Sequence, residues 1–188
     1  MARQAVNFGV KEPIYLCDTF CGVVKATDND ETYRGGEHSD TSVELVQKLM
    51  SDVGVSNTET LQGIFPDDTA TTIADQKFRL CHIDVDVYQS AKEVNEWVWE
   101  RLVPGGIVVY DDYGFEACDG ITKCVEEQRD RDDRVVFHNL NGHAVVVKLG
   151  KDEAAPSPAT QSSCEADAFM DEEDSEAVAE RLRQLGYL

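Results

Sequence analysis

The chain has 188 residues, a net charge of −20 and a hydrophobic fraction of 41%. That length and apolar content support one domain with its own core. The acidic balance argues against a nucleic-acid surface, which needs clustered Lys and Arg, and the absence of an apolar run of about 18 residues argues against a transmembrane helix.

Taken in chain order, Ala2 to Phe8 reads as the end of a helix closed by Gly9. Pro13 introduces Ile14-Tyr15-Leu16-Cys17, an apolar strand that ends at Asp18. An acid there suits a ribose diol, and it equally suits the cap of the next turn. Residues 21–40 are polar and glycine-bearing and read as a loop, with His38 near its end. Thr41-Ser42-Val43-Glu44 matches a capping box and starts a helix through Met50, ended by Gly54. Leu61 to Phe65 reads as a weak strand, and Pro66-Asp67-Asp68 leads into a short helix carrying Ile73.

The segment from Phe78 to Tyr113 carries the chemistry. Leu80-Cys81-His82-Ile83 is an apolar run that ends in Asp84-Val85-Asp86. Val94, Trp97, Val98, Leu102 and Val103 then recur near the helical period, and Pro104-Gly105-Gly106 breaks the chain. Ile107 to Tyr110 is a second strand, ending in Asp111-Asp112. A right-handed strand–helix–strand unit puts both strand ends at one edge of the sheet, where α/β proteins bind ligands. Four carboxylates gathered there repel each other unless protons or a cation compensate. An all-oxygen donor set suits a hard divalent ion such as Mg²⁺.

Ala117 to about Arg129 reads as a helix, and residues 135–138 and 144–149 as an antiparallel hairpin at the sheet edge. The pattern is an α/β domain over 1–150 with a mainly parallel sheet. Residues 151–188, with Pro156, Pro158 and many acids, read as an acidic and mostly disordered tail with a short helix over 176–185. Of the six cysteines, Cys17 and Cys81 fall in strands and are expected as buried free thiols. The opening MARQAVNFGV has no apolar signal-peptide core, so a cytoplasmic location is expected.

YLCDTFCG, GEHSDTS, GIFPDD, FRLCHIDVDVYQSAKEV and RLVPGGIVVYDDYGFE, in this order between Glu12 and Gly150, together resemble the macrocin O-methyltransferase family. The resemblance implies a Rossmann-like methyltransferase sheet whose last strand is antiparallel. It implies S-adenosylmethionine as methyl donor, Mg²⁺ as cofactor and a sugar hydroxyl as acceptor. It implies Asp84, Asp111 and Asp112 as metal ligands and Asp86 as general base. Asp18 would meet the cofactor ribose, with Gly63 to Phe65 near the adenine. The family begins with a strand and a glycine-rich loop; nothing of the form E-x-G-x-x-x-G precedes Ile14. The expectation is therefore a chain without the first strand that binds the cofactor weakly and whose open strand edges leave it weakly stable or self-associating. Two other readings stay open at this level: a metal-dependent glycosyltransferase, from the D-x-D of Asp84 and Asp86, and a non-catalytic remnant that only binds a partner or metal.

Overall fold

The computed structural model describes residues 1–150; the expected tail and its short helix lie outside the described residues. The elements are α1 (Ala2–Asn7), β1 (Ile14–Asp18), α2 (Val43–Val53), β2 (Thr58–Gln62), β3 (Phe78–Ile83), α3 (Tyr88–Trp99), β4 (Leu102–Tyr110), α4 (Asp119–Arg129), β5 (Arg134–His138) and β6 (Ala144–Lys148). Short 3-10 turns at Ala70–Ile73 and Glu116–Cys118 precede β3 and α4. Among the described residues no helix is long and apolar enough to cross a membrane.

The strands form two sheets rather than one. β1 pairs with β2 in parallel, and a second sheet runs β3-β4-β6-β5. There β3 and β4 are parallel, and β6 is antiparallel to both β4 and β5. The expected parallel unit and terminal hairpin are therefore both present. β1 and β3 do not pair with each other, although Tyr15 and Phe78 meet edge-on across the gap at 6.3 Å between ring centroids.

The core lies where α3 and α4 cover the larger sheet. Ile83, Val108, Tyr110, Ala144 and Val146 from the strands pack with Ala91, Val98, Ile121, Cys124 and Val125 from the helices. These strand residues come from three neighbouring strands, and their burial is the main apolar contribution to the fold. Among the described residues the smaller sheet has no such cover: α1 and α2 bury no residue, and Leu45, Leu49 and Val53 stay exposed along one stripe of α2.

Several boundaries depart from the sequence reading. The apolar period was expected to carry the third helix through Val103, but the helix ends at Trp99 and Leu102 opens β4. Leu102 pairs with Phe78 and Ile107 with Leu80, so Pro104-Gly105-Gly106 forms a bulge within one strand instead of a break between elements. Gly106 fits because any Cβ there would lie 2.7 Å from the buried Leu102 side chain. β2 lies three residues before its expected start; Gly63, at φ 143°, already leaves the strand. The helix cap is Ser42, accepting from the Leu45 N–H at 3.2 Å, and not Thr41. Cys17 is exposed and Cys81 only half-buried, because among the described residues no strand pairs with the facing edges of β1 and β3; Cys118 and Cys124 are buried instead.

One buried charge ties the 21–40 loop to the core. Asp30 is 3% exposed. Its carboxylate accepts from the Tyr88 N–H at 2.8 Å, the Thr27 N–H at 2.9 Å and the Thr27 hydroxyl at 3.1 Å. The acid thereby caps α3 from a distant segment, since Val87 at the cap position has no side-chain acceptor. Gly120 leaves room for it: a Cβ there would stand 2.0 Å from the Asp30 oxygen.

Asp30→Ala removes three accepted bonds and strands buried donors, so it should cost about 1–3 kcal/mol in urea unfolding. A second anchor has a pH signature. Asp133 accepts from Trp99 Nε1 at 2.8 Å and pairs with Arg134 at 2.7 Å, and the Arg134 hydrogen bond leads the causes that hold its pKa down to about 2. A depressed carboxylate stabilises the fold above its unfolded pKa, about 3.9, and loses that contribution as pH falls through its folded value. Asp133→Asn should be less stable than the parent at pH 7, by at most about 1 kcal/mol given solvent screening. The difference should close between about pH 4 and pH 2.

Candidate active site

The C-terminal ends of β3 and β4 do converge. The Ile83↔Tyr110 register sets the ends side by side, and the Asp111 N–H continues the ladder to the Ile83 carbonyl at 2.9 Å. Asp84 and Asp86 follow one strand, Asp111 and Asp112 the other. Partial burial, then the negative charge of Asp111 and next that of Asp86, raises the Asp84 pKa. Burial first, then Asp111 and Asp86, does the same to Asp112. Four anions are thus close enough to penalise each other, which is the electrostatic condition for taking up a cation.

Asp86 and Asp112 both adopt left-handed backbone, at φ 62° and φ 57°. Aspartate tolerates this conformation better than most residues, and strain of this kind clusters at working sites. The turn lets Asp86 swing toward the 21–40 loop. Tyr33 donates its hydroxyl to Asp86 Oδ1 at 3.0 Å, and His38 Nε2 stands 3.5 Å from the same hydroxyl. Asp86 drives the Tyr33 pKa upward, second to burial. Buried Cys118 closes this group, its sulfur 3.9 Å from both Asp86 Oδ1 and the Tyr33 oxygen, its pKa pushed up to about 11 chiefly by burial.

The four acids do not form a single tight ring. Among the described residues, two groups bring all their ligand atoms within 4.8 Å of one another: Asp86, Asp112 and Cys118, and His82, Asp111 and His143. His143 Nε2 lies 2.9 Å from Asp111 Oδ1, and His82 Nε2 lies 3.9 Å from Asp111 Oδ2. Asp84 stands at the edge of both groups through charge rather than contact.

The residues expected to meet a cofactor sit at the end of the smaller sheet. Asp18 Oδ1 accepts from the Phe20 N–H at 2.7 Å, so the turn takes one of its oxygens. Gly63 donates to the Asp18 carbonyl at 3.0 Å, which sets the ends of β1 and β2 side by side. The Phe65 ring packs edge-on against Trp97 at 4.9 Å, anchoring the post-β2 loop to α3. Residues that sequence reasoning missed are Asp30, Tyr33, Cys118 and His143. Thr27-Asp28-Asn29-Asp30 has the composition of a side-chain-bonded turn, the one available signal; nothing local distinguishes the other three.

Comparison with known proteins places this geometry. A model of the Macrocin-O-methyltransferase (TylF) family matches residues 4–141. Mycinamicin III 3''-O-methyltransferase of Micromonospora griseorubida is 30% identical over 129 residues, covering 63% of this chain and 49% of the relative. The chain thus spans about half the length of that curated relative. Among solved structures, the O-methyltransferase NovP aligns at TM-score 0.64 and 19% identity over 78% of this chain and 64% of its own. The calicheamicin methyltransferase CalS11 aligns at 0.58 and 17% identity over 73% and 60%. Both are likenesses of fold, a Rossmann-like O-methyltransferase sheet. With the paired acids closing β3 and β4 and the antiparallel hairpin beyond them, the chain belongs to the macrocin O-methyltransferase family.

Proposed function

We propose that this chain is an S-adenosylmethionine- and Mg²⁺-dependent O-methyltransferase acting on a sugar hydroxyl in the cytoplasm. The observation that carries the reading is the placing of four carboxylates just past two paired strand ends, in two neighbouring groups, with Asp86 held by Tyr33. The sugar acceptor is supported by the relative whose name places the methyl at a 3'' oxygen of mycinamicin III. Family membership argues against the glycosyltransferase reading of the D-x-D.

The donor set fits the ion. Asp84, Asp111 and Asp112 offer oxygens only, the donor type such an ion takes; their ligand atoms are not gathered within 4.8 Å of one another, so a bound ion would have to draw them together. These three would hold Mg²⁺, which when bound supplies charge that makes a nearby hydroxyl more acidic. Asp86 takes the proton from that hydroxyl. Tyr33 occupies Asp86 Oδ1 and so orients the second oxygen for this task. S-adenosylmethionine, when bound, would supply the methyl group that the deprotonated hydroxyl oxygen takes up, and the site would contribute by aligning the two reactants. Asp18 would accept from the ribose diol through the oxygen its own turn leaves over, with Gly63 beside it and Phe65 two residues further on for the adenine.

The split sheet favours a second reading, a chain that binds metal but does not turn over unaided. Calorimetry with S-adenosylhomocysteine separates the two. Binding weaker than about 100 μM supports the second; a low-micromolar Kd, about −8 kcal/mol, supports a working cofactor pocket in this chain.

Two substitutions test the site. Asp111→Asn should weaken Mg²⁺ binding at least about tenfold in calorimetric titration, because it removes a charged ligand; unchanged affinity would remove Asp111 from the site. Asp86→Asn should lower methyl transfer from labelled S-adenosylmethionine to a macrolide glycoside by about 10²–10⁴-fold while leaving Mg²⁺ affinity nearly unchanged. Joint loss of metal and turnover would make Asp86 a ligand instead of the base.

A further inference from the structure

A second donor set, of different chemistry, stands beside the acidic one. His82 is on β3, Asp111 follows β4 and His143 precedes β6, three strands adjacent in one sheet. Register puts them on one face: His82 pairs with Val109, and Val109 with Val145. Asp111 is two residues after Val109 and His143 two before Val145, so the period-2 alternation, carried just past the strand ends, turns all three side chains the same way. The distances agree. The two imidazoles approach opposite oxygens of one carboxylate, at 2.9 and 3.9 Å, and their rings lie 6.3 Å apart. One ligand atom from each residue falls within 4.8 Å of the others.

Two imidazoles and a carboxylate are not a Mg²⁺ donor set. They suit borderline transition metals such as Zn²⁺, Co²⁺ or Ni²⁺. Bonds of about 2.0–2.1 Å to such an ion would draw these donors inward by roughly an ångström or less. The backbone that carries them is held. His82 and the residue before Asp111 lie in the β3–β4 ladder, and His143 is pinned by its N–H to Asn139 Oδ1 at 3.1 Å. All three side chains remain about one-third open to water, which leaves an entry path.

We propose that His82, Asp111 and His143 form a Zn²⁺-class site distinct from the all-oxygen site and sharing Asp111 with it. The consequence is competition: an ion held by the histidines engages the carboxylate that the oxygen site also needs, so Zn²⁺ displaces Mg²⁺ rather than adding to it. The histidine site stands on its own geometry, whereas the competition rests on the proposed Mg²⁺ ligands.

The test uses the full 188-residue chain, stripped of metal and titrated separately with ZnCl₂ and MgCl₂, with circular dichroism to confirm folding. One tight Zn²⁺ equivalent is expected in the parent. His82→Ala and His143→Ala should each weaken it at least about tenfold while Mg²⁺ affinity changes less than about twofold. Asp84→Asn should do the reverse, losing Mg²⁺ and keeping Zn²⁺. Co²⁺ substituted for Zn²⁺ should give ligand-field bands without a thiolate charge-transfer band. Equal Zn²⁺ affinity in the histidine variants, or a thiolate band pointing to the cysteines, overturns the proposal. A parallel fall of Zn²⁺ and Mg²⁺ in the histidine variants also overturns it, since one site then serves both ions.

Discussion

The buried carboxylate of Asp30 is the constraint on which the site's geometry depends. A charge removed from water is tolerable only when fully hydrogen-bonded, and Asp30 meets that demand with two backbone N–H groups and a hydroxyl. In doing so it supplies the missing cap of α3, fixes the 21–40 loop against that helix and makes Gly120 obligatory in α4. The loop then delivers Tyr33 to Asp86. Three segments far apart in the chain are thus set by one acid, and the proton acceptor is oriented through it.

Electrostatics shapes the rest of the site. Asp84 and Asp112 carry raised pKa values first because burial weakens hydration of the carboxylate and then because the neighbouring acids Asp111 and Asp86 oppose ionisation. The acids separate into two neighbourhoods, Asp111 toward the histidines and Asp112 toward Asp86 and Cys118. Consecutive residues point to opposite sides, and the left-handed backbone at Asp112 exaggerates the divergence. An arrangement with one face rich in oxygen and the other in imidazole is a consequence of that alternation.

The division of the sheet is a matter of backbone accounting. Main-chain groups at a strand edge need partners or water. β1 and β3 face one another across a gap bridged by Tyr15 and Phe78 but by no ladder. The open edges account for the exposure of Cys17 and Leu80. They also place the larger sheet, with its two helices and its acids, on a firmer footing than the smaller one.

The fold class, the strand–helix–strand unit, the terminal hairpin and the carboxylates at the strand ends were all legible in the sequence, because local periodicity and residue type decide them. The end of α3 was not: Leu102 continues the helical spacing, but pairing with Phe78 claims it for β4, and cross-strand hydrogen bonds outweigh a spacing that helix and strand both permit. Asp18 read equally as ribose acceptor or turn cap, and the folded chain commits one oxygen to the turn. His143, Tyr33 and Asp30 had no local signature that named their partners. Their roles come from contacts 32 to 58 residues away along the chain, between His143 and Asp111, Tyr33 and Asp86, and Asp30 and Tyr88. The sequence determined which chemical groups stand at the strand ends. Tertiary structure alone decided which of them touch, because strand register and loop closure are set by the packing of the whole sheet.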